Sequence, residues 1–121
     1  MFKELLLTGV LLLVLDAIFI TLNLQMFKEQ VAVVQRVALQ PNYLGAIICY
    51  ILMIGGLYYF ILREKKSPLD AFFLGFIING VFESTNLVLF KKWELKTLVI
   101  DTLWGGILMA TTTFLYYKIM K

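Results

Sequence analysis

The 121-residue chain has no histidine and a single cysteine, Cys49. Without histidine, zinc-hydrolase, Ser-His and haem-ligation chemistries are excluded. One cysteine rules out an internal disulfide and a thiolate metal cage, and inside an apolar run it reads as a small hydrophobe. Charge is also scarce. Charged residues are 16% of the chain against 61% hydrophobic. A water-soluble chain of that balance would expose large apolar patches. The composition therefore indicates a multi-pass integral membrane protein. Eleven Lys and Arg against eight Asp and Glu leave a net charge of +3. The basic residues fall between apolar runs or at the chain ends and form no stripe with interleaved aromatics, so no nucleic-acid partner is expected. Membrane lipids are the expected surroundings, and neither a cofactor nor a metal site is expected.

Four apolar runs are present, at about 2–24, 43–62, 69–90 and 98–117. Each has the roughly 20 residues that a helix needs to cross the hydrocarbon core. The first run exceeds a signal-peptide h-region and lacks a small-x-small cleavage site after it, which favours a retained span. The expected fold is all-α: one integral membrane domain, 1–121, folded as a four-transmembrane-helix bundle running up-down-up-down. Both chain ends then lie on one side, here the terminal face, opposite a distal face. Between the first two runs, Phe27, Val31, Val34 and Ala38 recur at i, i+4, i+7 and i+11, with Lys28, Glu29, Gln35 and Arg36 largely elsewhere on the wheel. That pattern predicts a short amphipathic helix in the membrane interface, ended before Pro41. Ser67 is placed to cap the third helix, with Pro68 at its first position.

Other features bear on packing. Gly55, Gly56, Gly106 and Ala110 offer faces for close helix approach. Thr111, Thr112 and Thr113 are expected to bond to carbonyls of the preceding turn. Four short helices enclose little room for a solute, so a homo-oligomer is expected. Lys and Arg are split almost evenly between the two faces, so the positive-inside rule assigns no orientation.

The unusual chemistry lies in carboxylates within the apolar runs. Asp16 interrupts the first, Glu83 the third and Asp101 the fourth. Asn79, Glu83 and Asn86, at i, i+4 and i+7, share one helical face, and Thr85 lies beside them. Asn23 is on the face of Asp16. At a rise of ~1.5 Å per residue, Asp16 and Glu83 fall roughly 10–12 Å below the distal face and Asp101 roughly 5–6 Å below it. No Lys or Arg lies at that depth. The acids are therefore protonated, paired through shared protons, or facing water or a cation. Asp70, at the opposite end of its helix, reads as a first-turn acid favoured by the helix dipole.

These residues resemble a bacterial membrane-protein family catalogued as domain of unknown function 2177. The family's helix-one Asp is matched by Asp16, and its Pro-x-Tyr by Pro41 and Tyr43. Its Tyr-Asp-x-Thr-Asn stands here as Phe82-Glu83-Ser84-Thr85-Asn86, followed by Trp93. Its Asp-x-x-Trp-Gly stands as Asp101-Thr102-Leu103-Trp104-Gly105. The chain departs from the family in having Phe82 for Tyr, Glu83 for Asp and Phe19 where Trp is frequent. The resemblance implies the four-helix fold and the polar cluster, with Trp93 and Trp104 in support, but no reaction.

Three functions fit the sequence. In the first, Asp16, Glu83 and Asp101 bind or conduct a proton or small cation, oriented by Asn79, Thr85 and Asn86, as intramembrane acids commonly do. The second is a lipid-directed intramembrane enzyme using paired carboxylates, for which no nucleophile is evident. The third is an assembly protein in which the polar residues join helices.

Overall fold

A computed structural model of the protein describes residues 2–35, 43–90 and 93–120. Its elements are helices α1 (Phe2–Leu22), α2 (Leu24–Gln35), α3 (Tyr43–Leu57), a π-helical turn Tyr58–Leu62, α4 (Pro68–Leu89) and α5 (Leu95–Ile119). No strand is present among the described residues. Four helices are long and apolar enough to cross a membrane: Phe2–Leu22, Tyr43–Leu62, Pro68–Leu89 and Leu95–Ile119. The protein is an all-α, multi-pass membrane protein.

The helices pack in the order α4, α5, α1, α3. The tightest pair is α4 with α5, and α1 lies on α5 while α3 packs chiefly on α1. Glycine sets the α4–α5 approach. A Cβ built on Gly75 would lie 2.0 Å from the Gly105 carbonyl oxygen, and one on Gly105 would lie 2.6 Å from the Gly75 oxygen. The two backbones therefore touch at this point, as small residues allow in lipid. Gly106 is occupied too, since a Cβ there would meet the Phe72 ring at 2.7 Å. Gly55 and Gly56 have nothing within 4 Å. Among the described residues, the close packing expected at those two glycines is not made.

Contact order fixes directions. Asn79 reaches Asp101 and Gly75 meets Gly105, so α4 and α5 are antiparallel. Asp16 meets Tyr50 while Gly9 meets Ile54, so α1 and α3 are antiparallel as well. The buried core is Leu12, Leu57, Ile61, Leu62, Ala71, Leu108, Met109 and Tyr116. Most other apolar side chains are exposed, including Val88 at 83%. An outward-facing apolar surface is what a lipid-surrounded bundle requires.

The second span closes in a tight turn. Lys66 N–H donates to Ile61 O at 2.9 Å and Lys65 N–H to Leu62 O at 3.1 Å. This pair of bonds is a Schellman motif, and Lys65 occupies its left-handed position with φ 55°. Tyr117 Oη–H donates to Lys66 O at 2.5 Å, tying the turn to α5. Lys65→Gly removes the cost of a Cβ in that conformation and is expected to stabilise the protein by about 1 kcal/mol. A thermal-unfolding midpoint that falls on this substitution would contradict the assignment. On the other side of the turn, Ser67 Oγ accepts from Asp70 N–H at 3.3 Å with Pro68 at the first helical position. This is the capping arrangement that the sequence predicts.

The start of the last span differs most from the sequence-based expectation. The fourth helix begins at Leu95, not 98. Its first turn is capped from outside, because Gln30 Oε1 on α2 accepts from Glu94 N–H at 2.8 Å and from Thr97 Oγ1–H at 3.1 Å. That borrowed cap carries the helix through Lys96, where charge alone suggested a turn. The region of the expected interfacial helix contains α2, ending at Gln35. Arg36, Ala38 and Pro41 lie outside the described residues.

Candidate functional site

Asp16, Glu83 and Asp101 each sit six residues inside a helix, counted from Leu22, Leu89 and Leu95 respectively. At ~1.5 Å per residue, all three are about 9 Å from those ends. The earlier start of α5 thus puts Asp101 deeper than the sequence suggested, level with the other two acids. Antiparallel packing brings the three ends to the same side of the bundle.

Asp16 is 9% exposed. One of its oxygens accepts from Tyr50 Oη–H. The other accepts from Trp104 Nε1–H at 2.9 Å. The indole is held flat against Phe19, ring centroids 4.6 Å apart at 3°. Two neutral donors, one per oxygen, are what a buried carboxylate needs when no cation is near. Tyr50→Phe strips one of them. It is expected to destabilise the protein by about 2 kcal/mol, more than Tyr59→Phe on the exposed side. Equal unfolding midpoints for the two variants would show that the Tyr50 bond contributes nothing.

Glu83 is 1% exposed, deeper than any other carboxylate described. It accepts from Trp93 Nε1–H at 2.7 Å. Trp93 is also tied to the end of α4, its N–H donating to Phe90 O at 3.2 Å. The Asp101 carboxyl lies within interaction range of the Glu83 carboxyl and within electrostatic reach of Asp16. An ionised carboxylate only accepts, so a bond between two carboxyls requires a proton on one of them. The three acids therefore fall into a neighbouring pair, Glu83 with Asp101, and a separately anchored Asp16. They do not close on one point as a metal cage would, among the described residues.

The remaining sequence-selected residues are distributed around this layer. Asn79 Nδ2–H donates to Asp101 O at 3.0 Å and bridges α4 to α5 directly. Asn86 is 9% exposed, but among the described residues its side chain makes no hydrogen bond to an acid. Thr85 faces outward on α4 and donates to Val81 O at 2.8 Å. It is not brought to the acids. Asn23 Nδ2–H donates to Phe19 O at 3.0 Å, a bond within its own helix turn. The residue that sequence reasoning missed is Tyr50. Its signal was depth: it stands seven residues inside the second span, counted from Tyr43, at the level of Asp16 on the first.

A family model described as "Predicted membrane protein (DUF2177)" matches residues 1–117. The chain belongs to this family. No curated protein and no solved structure matches it. Asp16 and Trp104, from motifs on α1 and α5, are bonded to each other, and Glu83 and Trp93 are likewise bonded. Phe82 is 57% exposed and takes no part in the layer.

Proposed function

We propose that the protein binds a proton in the Glu83–Asp101 pair and passes protons, or a small cation, through the distal half of the membrane. The observation that carries this reading is the approach of the half-buried Asp101 carboxyl to the fully buried Glu83 carboxyl inside an apolar bundle. No Lys or Arg stands at their level in the spans to neutralise them. A proton is the smallest charge that such a pair can take up, and intramembrane acids are costly enough to be functional by default. Asp16 stands at the edge of the pair. A structural role is favoured for Asp16 itself, since both its oxygens already have donors. The reading is tested in proteoliposomes containing a pH-sensitive dye. An imposed pH gradient should collapse faster with the protein than without it, and equal rates would count against transport.

The four spans are taken to run up-down-up-down, with α2 in the interface of the distal face and both chain ends at the terminal face. The antiparallel contacts of α1 with α3 and of α4 with α5 support this arrangement. Reporter fusions at the two ends are expected to fall on the same side of the membrane. Opposite sides in every molecule would overturn it. The unfilled faces of Gly55 and Gly56 suit a second copy of the chain packed against α3.

A further inference from the structure

On α1, Glu4, Thr8, Leu12 and Asp16 follow at four-residue spacing and so share one face. Along α5 the order is reversed: Trp104 meets Asp16, and Tyr116 lies within electrostatic reach of Glu4. Four-residue steps in that register put Leu108 at the level of Leu12 and Thr112 at the level of Thr8. From the acids towards the terminal face, the interface therefore passes through one apolar layer, then a hydroxyl layer, then Glu4 with Tyr116. Thr8, Leu12 and Thr112 are 0% exposed and Leu108 1%.

The hydroxyl layer is unusual in how its groups are satisfied. Thr8 donates to Glu4 O at 2.7 Å, the ordinary route for a helical threonine. The sequence led to the same expectation for Thr112 and Thr113, and the structure contradicts it. Both are 0% exposed, and neither hydroxyl has a partner among the described residues. Both side chains are enclosed within the bundle. Dry hydroxyls are unfavourable, and a polar buried site is where ordered water belongs. The outer end of this row is open. A cleft of about 430 Å³ lined by Leu62, Lys65, Tyr116, Tyr117 and Met120 reaches Tyr116 from the terminal end.

We propose that Thr112 and Thr113 hold water, as the inner end of a hydrated path that enters at this cleft, passes Tyr116 and stops at the Leu12–Leu108 layer. The path does not depend on whether the acid pair carries protons. If it does, only one apolar layer separates the pair from water on the terminal side, and Leu12 and Leu108 form the barrier between two half-paths.

The test uses silver ion as a small hydrated probe on the full chain in lipid nanodiscs, in a Cys49→Ala background. Thiols protected by silver are counted afterwards with a fluorescent maleimide in denaturant. Thr112→Cys and Thr113→Cys should react at least tenfold faster than Leu108→Cys and the lipid-facing Phe114→Cys. Equal rates at all four positions overturn the path. The unaltered protein provides the second measurement, free of any folding defect. Radiolytic hydroxyl labelling should modify Tyr116 and the segment 112–113 and spare Leu12 and Leu108. An unlabelled 112–113 segment overturns the proposal. Glu83→Gln should leave both readouts unchanged, so failure of the hydrated path and failure of the proton pair are distinguishable.

Discussion

Glu83→Gln is expected to fold like the parent chain and to lose proton flux by roughly tenfold or more. Gln keeps the shape of the side chain. Its carbonyl oxygen still accepts from Trp93, and its amide N–H can donate to the neighbouring Asp101. The bonds that join α4 to the Trp93 turn and to α5 are therefore all reproduced. The dissociable proton is not. This separates a proton site from a polar join between helices: a join is indifferent to the exchange, whereas a site is disabled by it. The measurement is dye-reported pH equilibration in proteoliposomes, paired with thermal unfolding of the same preparations. Parent-level flux in a folded Glu83→Gln protein would falsify the transport reading and leave the acid pair a structural element. Asp16→Asn bears on a different bond set. Asn offers one acceptor oxygen in place of two, so with that oxygen on Trp104 its amide N–H faces Tyr50 Oη, which must turn from donor to acceptor. Its first effect should be on stability.

Gly75→Ala is expected to destabilise the protein by about 3 kcal/mol, the upper part of the range for overpacking a tight interface. The added methyl would lie 2.0 Å from Gly105 O and 2.6 Å from Met109 Cγ. The methionine can move, but the carbonyl belongs to a helix backbone, so α4 and α5 have to part. Separation reaches the site as well. The Asn79 bond to Asp101 O and the Glu83–Asp101 pair lie along the same interface, four and eight residues from Gly75. Flux should fall together with stability. Gly105→Ala meets Asn79 Cγ and Gly75 O, each at 2.6 Å, and should behave alike. Gly55→Ala, with nothing within 4 Å, is the control and should be close to neutral. Unfolding midpoints that agree for Gly75→Ala and Gly55→Ala would mean that the backbones do not touch.

The sequence by itself determined the class and the count of spans. A chain with 61% hydrophobic residues in four helix-length runs has to satisfy its backbone internally, and four helices do so. It also made visible that Asp16, Glu83 and Asp101 stand out from those runs, because charge in an apolar helix needs no partner to be conspicuous. The Ser67–Pro68 start of α4 was legible for a similar reason, since a cap is a local bond across three residues. Tertiary structure decided which groups those acids meet. Asp16 bonds Tyr50 and Trp104, 34 and 88 residues away, and spacing along one helix carries no information about such pairings. It also decided that Gly75 and Gly105, not Gly55 and Gly56, form the close approach, because a glycine permits contact without specifying the helix that makes it. The start of α5 at Leu95 depended on Gln30, 64 residues before the Glu94 N–H that it caps. In each case the local chain set what a residue can do, and the neighbour that packing supplied set what it does.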